Sequence, residues 1–301
     1  MLLRCFGWSC PRMISVSKAP GGNSVALADP AHFAVSFRIC LDCQRTYCDR
    51  CLPERSGLFR GPRCPSCGGK FADGARRQQV LSRPREPAAD LHDEGVELAE
   101  RGLLGESLAV FDQVVRQRPG YVSAHFHRGL VLRELVRYPE AVDALERAAE
   151  LDPRNVLALY ELAEVHRRAE QPERALDCYD RALRVQPCYL AALVDKAITL
   201  TELDRPSAAL DCCEQAIRLD AAGADAGRTE HLRAHAHAAL GAALLRLGRP
   251  AEALAALDIA ISDGPDHPET YYDRAEALAQ LGRTEEAEQA HRVAGDLGDR
   301  W

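Results

Sequence analysis

The chain has 301 residues, 47% of them hydrophobic and 28% charged, a balance that excludes wholesale disorder and fits one large domain or two ordinary ones. No run approaches the roughly 18 apolar residues of a membrane span, and the amino terminus meets Arg4 too early for a secretory signal. Aromatics at 6%, with few β-branched runs, argue against an all-β fold. The net charge of −7 hides a division, because residues 1–87 carry 14 Lys/Arg against 6 Asp/Glu while residues 88–301 carry 24 against 39.

Eight of the 12 cysteines precede residue 68, in the pairs Cys5/Cys10, Cys40/Cys43, Cys48/Cys51 and Cys64/Cys67. Three of these pairs are Cys-x2-Cys, a spacing that lets a tight turn aim two thiolates at one metal, and four such sulfurs close a tetrahedral structural zinc site. A disulfide framework fits poorly without a secretory signal. Leu41, Leu52, Leu58, Phe59 and Phe71 are too few for a core. Structural zinc contributes roughly 10–16 kcal/mol of apparent binding free energy in finger peptides, so metal rather than burial is expected to hold residues 1–75 together. Cys48 and Cys51 need two further ligands, for which Cys5 and Cys10 are favoured over His32, and that ligand count favours a start at Met1 over Met13.

The run FRICLDCQRTYCDRC, followed by CPSCGGK, resembles the FYVE and RING families of double zinc fingers. The resemblance implies a treble-clef, cross-brace module with two structural Zn²⁺ ions. Cys5, Cys10, Cys48 and Cys51 would hold one, and Cys40, Cys43, Cys64 and Cys67 the other. Neither family's activity carries over. Arg38 and Ile39 stand where lipid-reading FYVE domains place basic and histidine residues. Residues 52–63 contain no Trp, and Gly68 follows the last cysteine where active RING domains often carry Arg. Arg45, Arg50, Arg55, Arg60 and Arg63 could meet phosphates, but eight thiolates around two Zn²⁺ add a net negative charge that weakens a nucleic-acid reading.

An Arg/Pro-rich linker follows at 76–87, with Arg76, Arg77, Arg83 and Arg85. Its contrast with the acidic remainder suggests a salt-sensitive docking of the basic module or linker on the rest of the chain.

From residue 88 the chain repeats itself. Gly95, Gly129, Ala163 and Ala197 are spaced by 34 residues, and Gly241 and Ala275 resume that spacing after an insertion. Ser107, Ala141, Ala175, Ala209, Ala253 and Ala287 follow at a constant offset, as do Val114, Ala148, Ala182, Ala216, Ala260 and Ala294. Pro119, Pro153, Pro187 and Pro265 close four of the repeats. Each repeat reads as two amphipathic helices. Leu159, Leu162, Ala163 and His166 share one face, and Ala175, Leu176, Tyr179, Ala182 and Leu183 another. Small residues are expected to let the paired backbones approach, with Phe111, Leu145, Tyr179 and Leu257 filling the space between. A lone helical pair cannot bury its apolar face, so the repeats should stack.

This pattern of Gly/Ala, Ala, large apolar, Ala and Pro positions resembles the tetratricopeptide repeat. The resemblance implies a mainly α fold, an α-α superhelix of six helical hairpins at 88–121, 122–155, 156–189, 190–223, 234–267 and 268–301, with an insertion at 224–233. The family's first-helix Trp or Tyr is matched clearly only by Tyr271, with His125 and Leu159 standing in its place elsewhere. The family's binding face, lined by the first helix of each repeat, would carry His92, Val96, Phe126, Leu130, Tyr160, Glu164, Val194, Ile198, Tyr272 and Glu276. No Lys or Asn occupies those positions, which excludes the paired carboxylate clamp of one family subset.

Cys178, Cys212 and Cys213 are expected as buried small hydrophobes. Cys188 falls in a turn, and His231, His235 and His237 fall on an extended, solvated helix. No Gly-x-Ser-x-Gly, phosphate-binding loop or His-Glu-x-x-His motif is present. The sequence therefore predicts a cytoplasmic, non-catalytic scaffold without a membrane span. One protein or peptide partner would lie in the repeat groove and a second protein partner at the zinc module. The alternatives are a RING-type ubiquitin-like ligase and nucleic-acid binding through the zinc module.

Overall fold

The computed structural model describes residues 2–4, 13–15, 37–39, 46–48, 87–221, 229–264 and 267–299. The chain divides into two compact units, residues 1–155 and 156–301.

In the first unit, β1 (Leu2–Arg4) pairs antiparallel with β2 (Met13–Ser15), placing Leu3 opposite Ile14. A second hairpin pairs β3 (Phe37–Ile39) with β4 (Thr46–Cys48), placing Arg38 opposite Tyr47. Of the eight expected zinc ligands only Cys48 belongs to a described element. Cys5, Cys10, Cys40, Cys43, Cys51, Cys64 and Cys67 lie outside the described residues, as do linker residues 76–86. Four helices follow among the described residues of the unit: α1 (Pro87–Glu100), α2 (Leu104–Gln117), α3 (Val122–Glu134) and α4 (Tyr138–Leu151).

The second unit is helical throughout its described residues. It contains α5 (Val156–Arg168), α6 (Pro172–Val185), α7 (Leu190–Glu202), α8 (Pro206–Ala221), α9 (Thr229–Arg246), α10 (Pro250–Asp263), α11 (Pro268–Gln280) and α12 (Thr284–Gly298). Odd- and even-numbered helices alternate as the first and second members of six hairpins. Part of the insertion is absorbed by α9, which runs 18 residues where α7 runs 13.

Within a hairpin, the small residue of the first helix faces a larger one 16 positions later. A Cβ added to Gly95 would come within 2.9 Å of the Phe111 ring, and one on Gly129 or Gly241 within 2.5 Å of Leu145 or Leu257. Those distances are below contact, so these three positions favour glycine over any larger residue. At the same register Ala163, Ala197 and Ala275 precede Tyr179, Cys213 and His291. Phe111, Leu145, Tyr179, Cys213 and Leu257 are all fully buried. Burying side chains of this size stabilises by roughly 1.5–3 kcal/mol each, which outweighs the weak helix propensity of the glycines.

Every hairpin turns on one residue in the left-handed region: Gly102, Val136, Glu170, Asp204, Gly248 and Gly282, with φ between 55° and 76°. The helix ends there in a doubly bonded stop. In the second hairpin the Val136 N–H donates to the Arg133 carbonyl at 2.9 Å and the Arg137 N–H to the Leu132 carbonyl at 2.9 Å. Pro139, Pro172 and Pro250 then open second helices in the first turn, where a missing N–H costs nothing.

Successive hairpins are registered by charge as well as by packing. Arg128 donates to Asp112 at 2.6 Å, Lys196 to Asp180 at 2.6 Å and Arg274 to Asp258 at 2.7 Å. Each pair joins a second helix to the first helix of the next repeat. Their solvent access limits each to about 1 kcal/mol or less, so the recurring spacing specifies register more than it adds stability.

Candidate partner-binding face

In the first unit the face is built on α1 and α3. His92 is fully buried, stacked on Tyr121 with ring centroids 5.4 Å apart and edge-on to Phe111 at 5.4 Å. The Ser123 hydroxyl lies 2.9 Å from His92 Nε2 and 3.1 Å from His127 Nδ1. His127 Nδ1 is 2.7 Å from the Ser123 carbonyl, which only accepts, so that nitrogen carries a proton. Phe126 is buried, and Val96 and Leu130 are half-buried. The structure therefore places His92 and Phe126 inside the packing between helices, with Val96 and Leu130 nearer solvent. Ser123 and His127 join them, unsignalled by the repeat pattern because they lie off the two positions by which the face was counted.

In the second unit a polar network links repeats three and four. The Tyr160 hydroxyl donates to Asp195 at 2.7 Å. The Tyr179 hydroxyl donates to Glu164, whose other oxygen accepts from Arg167 at 2.9 Å. Burial, and then the neighbouring Glu164, push the Asp195 carboxyl up to about 6. Burial and the same carboxylates raise Tyr160 and Tyr179 far above the ordinary phenol range, so both hydroxyls remain donors. Val194 is buried and Ile198 half-buried.

Repeat six presents the same face differently. Tyr272 is 46% exposed, with its ring 5.7 Å from that of His291, and Glu276 is exposed. Beside them Asp273 is pushed up to about 6 by burial and then by Glu276. Asp195 and Asp273 hold the same repeat position, one residue beyond the first counted position of the face, which is why the sequence pattern passed over them.

Cys178, Cys212 and Cys213 are buried, and Cys188 is half-exposed. Burial, followed by Cys212, pushes the Cys213 thiol up to about 12, leaving it an inert packing group at neutral pH. The inserted helix is less solvated than its sequence suggested. His235 lies 4.7 Å from the His267 ring, and His237 is half-buried, with an Nδ1 that meets no hydrogen-bond partner among the described residues. Burial lowers the His237 pKa, which keeps that imidazole neutral. Arg233 closes the same corner by donating through two nitrogens to Asp263, both at 2.7 Å. No helix among the described residues is long and apolar enough to cross a membrane.

Tetratricopeptide repeat models match residues 92–156 and 238–296, and a second model of that description matches residues 156–187. This is a tetratricopeptide repeat protein. A tetratricopeptide repeat protein from Parabacteroides merdae superposes with a TM-score of 0.57 at 16% identity, covering 67% of this chain and 77% of that one. PilF of Pseudomonas aeruginosa superposes with a TM-score of 0.50 at 21% identity, covering 58% and 75%. At those identities the likeness is one of fold. The peroxisomal targeting signal receptor of Pichia angusta is 36% identical over 75 residues, which is 25% of this chain and only 13% of that protein's length.

Proposed function

We propose that this tetratricopeptide repeat protein is a non-catalytic, cytoplasmic adaptor, its first-helix face binding a peptide or partner protein and its amino-terminal module contacting a second protein. The observation that carries this reading is the first-helix face of the second unit. It mixes exposed and half-exposed aromatic, apolar and acidic side chains (Tyr160, Ile198, Tyr272 and Glu276) on a helical frame, the mixture expected of a recognition surface. The local match to a protein named as a receptor for a targeting signal supports the same direction. Retention of the full chain on a random peptide array, abolished by Tyr272→Ala with the helical spectrum unchanged, is the expected result. No retention of any peptide would end the reading.

The amino-terminal module is proposed to hold two structural zinc ions through the cross-brace set Cys5, Cys10, Cys48, Cys51 and Cys40, Cys43, Cys64, Cys67. The strand register supports it. Both hairpins are joined by residues that carry a cysteine pair, Cys5 following β1 directly as Cys40 follows β3. The ions would supply cross-links, with four thiolates each and no open position for chemistry. Elemental analysis of the purified chain should give two zinc per molecule, falling after Cys64→Ser with Cys67→Ser. Metal-free protein would rule the module out, and finger-dependent discharge of a charged ubiquitin-conjugating enzyme would replace the adaptor with a ligase.

A further inference from the structure

The first helices of repeats three and four are joined by the hydrogen bond from the Tyr160 hydroxyl on α5 to Asp195 on α7, at 2.7 Å. Aromatic rings flank that bond: the Tyr160 ring lies edge-on to Tyr189 at 5.4 Å and tilted against Tyr179 at 6.2 Å. One turn along α5 stands a second carboxylate, Glu164, only 8% exposed. It accepts from the Tyr179 hydroxyl and from two nitrogens of Arg167, at 2.9 and 3.4 Å. Glu164 therefore holds the guanidinium, while half-buried Asp195 is held by a neutral hydroxyl. The charged groups that act on Asp195 are Glu164, Arg167 and Glu161, all on α5. Helix α7 also packs on α6, α8 and α9. From α6 come Tyr179 and Asp180, the latter paired with Lys196 at 2.6 Å. On α8, Cys212 faces Lys196, Asp180 and Asp211, and on α9, His237 faces Asp263, Arg233 and Asp220.

We propose that this joint is a proton-operated latch: α5 and α7 are held together while Asp195 carries a proton, and part locally more readily once it ionises. Burial and Glu164 oppose the charge, Tyr160 and Arg167 favour it, and the first two prevail, leaving the carboxyl at about 6. A local opening returns that carboxyl to water and to the ordinary carboxylate range, so the open joint releases a proton that the closed joint keeps. Between about pH 4 and 6, each unit of pH should therefore raise the open fraction by up to about tenfold. Solvent access to the half-buried carboxyl limits the whole change to about tenfold. The latch goes beyond the binding reading and does not depend on it. A partner resting on Tyr160 and Ile198 would meet a better-ordered surface in mildly acidic than in neutral solution.

Hydrogen–deuterium exchange of the full chain tests it, read by mass spectrometry from about pH 4.5 to 7.5 and corrected for the intrinsic rate at each pH. Residues 156–168 and 190–202 should open about tenfold more at the upper end of that range than at the lower. Helix α10, whose Glu252 and Asp263 carboxyls are held below the ordinary range by Arg249 and Arg233, should not follow. Asp195→Asn keeps an acceptor for Tyr160 and carries no charge, so it should hold both helices within about twofold across the range. Tyr160→Phe removes a donor that favours the carboxylate and should move the step to higher pH, whereas Glu164→Gln removes a like charge and should move it lower. Opening of α5 and α7 that ignores pH, or a dependence that survives Asp195→Asn, would overturn the latch. So would an equal rise in α10, or shifts of the same sign in the last two variants.

Discussion

Tyr160 and Glu164 in repeat three occupy the same repeat positions as Tyr272 and Glu276 in repeat six, yet the two pairs live in different surroundings. In repeat three, the tyrosine is half-buried and hydrogen-bonded to Asp195 of the following repeat, and the glutamate is 8% exposed and bonded to Tyr179 and Arg167. In repeat six the tyrosine is 46% exposed, its glutamate lies open, and the seam residue matching Tyr179 is the exposed His291. A repeat position decides which face a side chain joins. What stands beside it decides whether it becomes structure or surface.

Truncating the seam gives the sharpest test of that difference. Tyr179→Ala should remove a fully buried ring and leave Glu164 short of a donor, costing about 3–5 kcal/mol in urea unfolding. His291→Ala should stay within about 0.5 kcal/mol. Comparable losses at both sites would show that repeat six is packed as tightly as repeat three.

Glycine substitutions extend the comparison. Gly241→Ala places a methyl 2.5 Å from Leu257 Cγ and should cost about 1–3 kcal/mol. At Gly295 in α12 an added Cβ meets nothing within 4 Å, so Gly295→Ala should stabilise by about 0.5–1 kcal/mol through helix propensity. Thermal melts of the two variants should move in opposite directions.

A smaller effect is expected from pH. The folded Asp195 carboxyl lies near 6, above its ordinary value, so between about pH 4 and 6 the folded state holds more protons than the unfolded one. Stability should therefore fall as pH rises through that window. Asp195→Asn, which keeps an acceptor for Tyr160, should flatten the decline by about 1 kcal/mol once solvent screening is allowed for. Asp273→Asn in repeat six should act in the same direction. A pH–stability slope unchanged in both variants would remove these carboxylates from the account.

The smallest effect concerns the turns. Val136 is a β-branched residue at φ 60°, 66% exposed, where three other hairpins use glycine. Val136→Gly should raise stability by roughly 0.5–1 kcal/mol, because relief of left-handed strain exceeds the added chain entropy. A destabilised variant would mean that the valine makes a contact worth more than its strain.

The helical architecture was legible because its causes are local and periodic. Small residues recur at 34-residue spacing, bulky ones follow 16 positions later, and prolines interrupt the pattern. The left-handed turn residues were not read from the sequence: Gly102, Gly248 and Gly282 are permissive there, whereas Val136 and Glu170 disfavour positive φ and Asp204 only tolerates it. The sequence offered the candidate face as a set of positions and said nothing of each side chain's surroundings. His92, Phe126, Glu164 and Val194 proved to be buried, and Ser123, His127, Asp195 and Asp273 joined the face without a signal, because hydrogen bonds between successive repeats depend on side chains roughly one repeat apart.

The sequence by itself determined that residues 88–301 form paired helices that must stack, since neither helix of a pair can hide its apolar stripe alone. It also determined that a small residue, glycine or alanine, stands opposite each large seam residue. Only the tertiary structure decided which tyrosine and which carboxylate face solvent. Exposure is a property of what the next repeat brings into contact, and the same residue in the same helical register is buried in one neighbourhood and open in another.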